Sequence, residues 1–115
     1  MKFDEENLRL VRLYEKFSSP DFVRKYGSLS REDGYEMFTT KTVITTKLLG
    51  EITLGTAYFP PLSHAVPVIF LTDRQVKILH DNKIRLLIKK RKHSTGFETY
   101  LGFPSKSSFE RIIAS

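Results

Sequence analysis

Residues 35–59 read YEMFTTKTVITTKLLGEITLGTAYF, and the composition of this segment indicates what kind of fold the chain adopts. Threonine, β-branched and aromatic side chains dominate it, and β-strands favour these residue types. Asp33-Gly34 stands directly before the segment, while Gly50 and Gly55 lie inside it, where glycine is typical of a turn or a β-bulge. The segment therefore predicts two or three antiparallel strands.

The chain that follows predicts one more strand and then a helix. Pro60-Pro61 stops the pairing because proline donates no ladder hydrogen bond, and Val66–Leu71 then has the composition of a buried strand. Residues 72–75, TDRQ, match a capping box, in which the threonine hydroxyl accepts a bond from an early helical N–H and the glutamine reaches back. We therefore expect a helix from Asp73 to about His80.

The last third of the chain predicts a β-hairpin and a closing helix. Ile84–Ile88 is typical of a strand that emerges into the basic run 89–92, and a turn at 93–96 leads into an alternating strand, Phe97–Phe103. Residues 107–110, SSFE, repeat the capping-box pattern, and an apolar helical stripe follows at Phe109, Ile112 and Ile113. We expect this helix to dock on the core.

The first quarter of the chain predicts a pair of helices. Asp4 is a suitable cap for an amphipathic helix that runs to about Phe17, and Pro20 begins a shorter helix that ends at Gly27. The whole pattern predicts a single domain over residues 1–115. Its class is α+β, with a small mixed or antiparallel sheet, an N-terminal helix pair, one central helix and a C-terminal helix.

The composition excludes several kinds of chemistry. The chain has 115 residues, 40% of them hydrophobic, and it contains no cysteine, so disulfides, thiolate catalysis and cysteine-ligated metals are excluded. His64, His80 and His93 have no metal-site spacing, and the longest apolar run, Ala65–Leu71, is too short to span a membrane. We expect a cytoplasmic protein with no cofactor, no metal, no signal peptide and no membrane partner.

Positive charge is concentrated in the second part of the chain. Residues 1–40 hold seven Lys or Arg against eight Asp or Glu, whereas residues 41–115 hold twelve against five. Between positions 74 and 93 the only acid is Asp81, and clustered like charges are costly to hold together without an anionic partner. The basic residues of this segment are Arg74, Lys77, Lys83, Arg85, Lys89, Lys90, Arg91 and Lys92.

The basic strand and turn favour a nucleic-acid partner. Lysine and arginine at successive positions can follow a phosphate backbone, and Tyr100 on the partner strand is a candidate for stacking on an unpaired base. The leading hypothesis is therefore a noncatalytic nucleic-acid-binding domain, for RNA or single strands in preference to duplex, with these eight basic residues and Tyr100 as its contacts. The alternative for the same residues is a solvated strand edge that resists aggregation.

Two other functions stay open. In the first, the chain is a protein-interaction or assembly subunit whose exposed strand edge, such as Thr39–Lys47, pairs with another chain or with a second copy. In the second, it is a small nuclease or transferase. The sequence gives this second alternative little support, because it contains no nucleophile elbow, no phosphate-binding loop and no paired acids at a useful spacing, so no catalytic residue is predicted.

One family resemblance points toward RNA. Residues 50–56, GEITLGT, then Val66-Pro67-Val68, and then residues 71–79, LTDRQVKIL, resemble the small N-terminal domain of tRNA-splicing endonuclease subunits. In that domain a Gly-Thr turn, a strand, a helix and a returning strand occur in this order, and the resemblance covers residues 50–88. It implies an accessory RNA-processing subunit rather than a nuclease, since that family's catalytic residues belong to a second domain.

Overall fold

One antiparallel sheet organises the chain in the computed structural model, which describes residues 12–32, 34–92, 96 and 98–114. Its strands are β1 (Ser28–Glu32), β2 (Tyr35–Thr46), β3 (Gly50–Phe59), β4 (His64–Leu71), β5 (Leu87–Lys92) and β6 (Glu98–Phe103). The described helices are α1 (12–16), α2 (Pro20–Tyr26), α3 (Asp73–Asp81) and α4 (Lys106–Ala114), with a 3-10 helix at Pro60–Leu62. The class is therefore α+β with a small sheet, as the sequence predicts.

The strand order places the basic hairpin at one edge of the sheet. The order is β1-β2-β3-β4-β6-β5, and every pairing is antiparallel. Strands β1 to β4 follow one another as a meander, and the β2–β3 turn uses Gly50 at a φ of 73°, a conformation that favours glycine. After β4 the chain crosses through α3, so that β5 is outermost and β6 lies between β5 and β4.

The sheet curls until its two edge strands come within side-chain reach. Arg91 of β5 lies with its Nε 2.8 Å from Oε1 of Glu32 on β1. The inside of the curl, here called the inner face, holds a small buried cluster of Tyr35, Met37, Ala57, Val68 and Leu101. Since opposite residues of an antiparallel pair share a face, Lys89 and Arg91 also lie on the inner face.

The helices cover the other side of the sheet, here called the outer face. Val23 of α2, Leu79 of α3 and both Phe109 and Ile112 of α4 are fully buried there, together with Phe17 in the turn after α1. Burying apolar side chains of this size stabilises a fold by about 1.5–3 kcal/mol each. The larger core therefore depends on helices that come from both ends of the chain.

The capping box that begins α3 has the predicted geometry. The Gln75 N–H donates to Thr72 Oγ1 at 3.2 Å, and the Thr72 N–H donates to Gln75 Oε1 at 2.9 Å. Gln75 Nε2 also donates to the Leu49 carbonyl at 2.9 Å, which fastens α3 to the β2–β3 turn. The start of α3 is therefore fixed in position relative to the sheet.

Three sequence predictions need correction or restriction. The strand predicted at Ile84–Ile88 begins at Leu87 and contains the basic run, because the backbone before it bonds to helices instead of β6. The predicted cap of α4 lies inside the helix, and the cap is Ser105, whose Oγ accepts from the Ser108 N–H at 3.2 Å. Of the predicted first helix, residues 4–11 lie outside the described residues.

Strand β1 is an element that the sequence reading did not predict. It pairs with β2 from Ser28↔Thr39 to Glu32↔Tyr35, around the turn at Gly34. Within the described residues, none of the helices is long and apolar enough to cross a membrane.

Candidate nucleic-acid interface

The chain leaves α3 through a Schellman turn that contains a lysine at its left-handed position. The Ile84 N–H donates to the Leu79 carbonyl and the Lys83 N–H to the His80 carbonyl, each at 3.0 Å, which is the bonding pattern of that turn. Ile84 and Leu79 are both buried in the larger core. Lys83 has a φ of 56°. Glycine is preferred at this position because every other residue crowds its own Cβ.

Helix α4 holds the same turn from the opposite side. Ser108 Oγ donates to the Arg85 carbonyl at 2.8 Å. The guanidinium of Arg111 reaches the carbonyls of Lys83 and Asn82, each at 3.4 Å, where its charge also favours the carbonyl end of α3. Residues 82–85, here called the basic turn, are thereby fixed in backbone position while Lys83 and Arg85 stay exposed.

A surface depression of about 590 Å³ lies at the basic turn. It is lined by His80, Asp81, Lys83, Ile84 and Arg85. Asp81 is the acid among them, and its Oδ1 lies 3.8 Å from Nδ1 of His80. Both of these side chains are largely exposed. One carboxylate stands against the two cations Lys83 and Arg85, so the net charge of this lining is positive.

The basic run of β5 does not form one surface, because its side chains alternate between the two faces of the sheet. Lys89 lies opposite Leu101 on the inner face, and its Nζ is 4.8 Å from the centroid of the Tyr35 ring. Lys90 lies opposite Tyr100 on the outer face. Lys92 lies opposite Glu98 in the ladder, and its side chain lies outside the part of the chain that the structure describes. A polyanion that contacts one face of this strand therefore meets only alternate residues of the run.

Arg91 joins the edges of the curled sheet. Besides its contact with Glu32, its Nη2 donates to Ser30 Oγ at 3.2 Å, so both of its partners belong to β1. The side chains of Arg91 and Glu32 are 26% and 20% exposed. Glu32 Oε1 is buried, and its close contact is with the Arg91 guanidinium. The charge of Arg91 is therefore what balances this carboxylate.

Lys90 and Tyr100 also interact with acidic side chains. Lys90 Nζ lies 2.8 Å from Glu98 Oε2, and this hydrogen bond and the charge of Glu98 raise the pKa of Lys90. A hydrogen bond to Asp73, followed by burial, raises the pKa of Tyr100. The Tyr100 ring also packs against the larger core. Tyr100 is thus held by α3 and the sheet.

The two predicted site residues on α3, Arg74 and Lys77, are exposed, and they lie in different surroundings. Lys77 is one helical turn from both Asp73 and Asp81, a spacing that places all three side chains on one side of the helix. Arg74 lies next to the β2–β3 turn, beside Leu48. The predicted contacts are therefore spread over several surfaces, and Lys83 and Arg85 are the pair that the structure brings together on a rigid support.

Arg111 is the cation that the sequence reading missed. It follows Arg85 by 26 positions, so no local charge count connects them, and only the docking of α4 places its guanidinium at the basic turn. A basic residue in the last turn of α4 was visible in the sequence, but its target was not.

Comparison with protein-family models, with curated proteins and with solved structures found no match for this chain. The resemblance of residues 50–88 to tRNA-splicing endonuclease subunits therefore stays a prediction. Among the described residues, no cluster of three or more His, Asp or Glu side chains could hold a metal ion.

Proposed function

We propose that this chain is a noncatalytic nucleic-acid-binding domain and that the basic turn is its phosphate-binding surface. The observation that supports this most is Lys83, which occupies a left-handed turn position that suits glycine. A left-handed residue other than glycine costs about 1–2 kcal/mol. A cation at the C-terminus of a helix gains some favourable interaction with the helix dipole, but that interaction does not require the left-handed position, and the strain has a use if the exposed ammonium binds an anion.

The arrangement around Lys83 suits phosphate groups. Lys83 and Arg85 extend from a backbone that two helices hold, so little backbone entropy is lost when they bind. Arg111 adds a third positive charge beside them. Phosphate contacts of this kind supply most of the affinity of proteins that bind nucleic acids without reading their sequence.

RNA or a single strand is the proposed partner in preference to duplex DNA. A helix that reads the major groove must present an exposed side free of repulsive charge. The exposed side of α3 carries Asp73 and Asp81, and its other side is packed on the core. The family resemblance of residues 50–88 favours RNA as well. Binding through a short turn to an irregular or unpaired strand fits these features best.

A salt titration of binding tests the proposal. The probe is a fluorescent mixed-sequence RNA, and the proteins are the wild type, a turn variant (Lys83→Gly with Arg85→Gln) and an edge variant (Lys41→Gln with Lys47→Gln). The two variants each lose two exposed positive charges. We expect the turn variant to flatten the slope of log affinity against log salt by about 1.4, since each phosphate contact contributes about 0.7. The edge variant should keep the wild-type slope.

Two outcomes would overturn the proposal. If the wild type does not bind RNA at low salt, the domain has another function. If both variants lose affinity equally, binding reflects the net charge of +6 and not the basic turn.

A further inference from the structure

Strand β2 is longer than its neighbour β1 and leaves a free edge. Pairing between the two strands ends at Ser28↔Thr39, whereas β2 continues to Thr46 and pairs with β3 from Val43↔Thr53 to Thr46↔Gly50. In the part of the chain that the structure describes, no strand lies on the other side of residues 41–46. Together with Lys47, these residues form what is here called the β2 edge.

The β2 edge has the side chains of a strand that pairs. Threonine, valine and isoleucine occupy positions 42–46, and Val43 is 50% exposed. A groove of about 430 Å³ runs beside the start of the edge, between α2 and β2, and Phe22, Tyr26 and Thr42 are among its lining residues. Tyr26 is 60% exposed. The Thr42 N–H already donates to Thr40 Oγ1 at 3.2 Å. An added strand would therefore pair with the backbone beyond Thr42, next to the aromatic groove.

The β2 edge has features that protect an edge strand from pairing, and its charges repel some partner strands and attract others. A bulge interrupts the register between Thr39 and Val43, and Lys41 and Lys47 stand exposed at the two ends of the edge. Lysines at an edge discourage pairing with a neutral or basic strand. They attract a strand whose ends are acidic.

A second copy of the chain fits this charge pattern poorly. In an antiparallel pair, opposite residues share a face, so the register that uses the whole edge is centred on Ile44. That register places Lys41 of each copy against Lys47 of the other. Each copy also carries a net charge of +6, which opposes association.

We propose that the β2 edge binds an extended segment of a partner protein as an added antiparallel strand. The segment carries an acidic side chain opposite Lys41 and another opposite Lys47. Its residues opposite Thr42 and Ile44 are apolar, because these positions share the outer face with the groove between α2 and β2. This surface is separate from the basic turn, so either proposal can fail without the other.

A synthetic peptide tests the inference. The probe is Glu-Thr-Thr-Val-Thr-Val-Glu with a fluorescent label, and its matched control is Lys-Thr-Thr-Val-Thr-Val-Lys. We expect saturable anisotropy with the glutamate peptide and an affinity about tenfold lower for the lysine peptide, because two rim charge pairs become repulsive. The edge variant should lose that preference, and the turn variant should bind like the wild type. Amide hydrogen exchange should slow within residues 41–46 when the peptide binds.

Three results would overturn the inference. The first is no saturable binding of the glutamate peptide at concentrations of about 1 mM, a limit that excludes even weak recognition. The second is exchange protection that falls outside the β2 edge. The third is a concentration-dependent dimer of the wild type that the edge variant lacks, since the edge then serves a second copy. Unchanged circular dichroism of both variants verifies that they fold.

Discussion

Arg91 and Glu32 connect the two edge strands of the sheet, β5 and β1, with Arg91 Nε 2.8 Å from Glu32 Oε1. The pair belongs to strands that share no backbone ladder, so side chains close the curl where hydrogen-bonded pairing stops. The basic run at 89–92 is therefore not simply a set of four cations free to bind an anion, because Arg91 stabilises the fold. Replacing all four residues at once would alter stability and binding together, so such a variant cannot isolate binding.

Arg91→Gln should lower the free energy of unfolding by about 1–3 kcal/mol, since it leaves a mostly buried carboxylate without its counter-charge. Urea unfolding measures the change. Lys90→Gln is the matched control on the same strand, and it should leave the unfolding midpoint almost unchanged because the Lys90–Glu98 pair is exposed. A second substitution, Glu32→Gln, should restore part of the loss. Equal midpoints for Arg91→Gln and the wild type would contradict a stabilising role for the pair.

Lys83→Gly should raise the free energy of unfolding by about 1 kcal/mol, because glycine adopts a φ of 56° without crowding. Thermal or urea unfolding measures this. Arg85→Gly is the control two positions along, where the backbone is not left-handed, and it should not stabilise the protein. If the single variant Lys83→Gly is more stable and also binds RNA more weakly than the wild type, function and folding are separated at one residue. A loss of stability in Lys83→Gly would contradict the assignment of strain to this turn.

Alkaline pH should destabilise the protein through its tyrosines. Burial raises the pKa of Tyr14 and Tyr35 from 10.0, and the bond to Asp73 raises that of Tyr100. Each tyrosine therefore holds its proton more tightly in the folded chain than in the unfolded chain. Its contribution to the free energy of unfolding is complete below the pKa of the unfolded state and is lost as the pH rises through the higher pKa of the folded state.

Urea denaturation at a series of pH values from 8 to 12 measures whether the free energy of unfolding falls as predicted. Tyr14→Phe should make this fall shallower at the highest pH. That substitution also removes the hydrogen bond from the Tyr14 hydroxyl to the Pro104 carbonyl, so it should lower stability by a similar amount at every pH below 10. Tyr26→Phe, at an exposed ring, serves as the control. Stability that increases above pH 10 would contradict the prediction.

Much of the fold could be predicted because local rules decide it. The composition of residues 35–59 gave the β2–β3 hairpin, and the capping box at Thr72 and Gln75 placed the start of α3 where the structure has it. Strand β1 was missed because SLSRE has little apolar alternation, and its place depends on pairing with β2. The strand before the basic run was predicted three residues too early, since the bonds of Ile84 and Arg85 go to α3 and α4.

The sequence by itself determined the class of fold, the charge excess of residues 74–93 and the set of cations from which any phosphate site must be drawn. Only the tertiary structure decided which of them lie together. It paired Arg91 with Glu32, placed Lys89 over Tyr35 on the opposite face from Lys90, and brought Arg111 to the basic turn. The physical reason is that propensity and capping act over a few neighbouring residues, whereas the partners of a charge are set by strand register, sheet curl and helix docking, which join residues far apart in the chain.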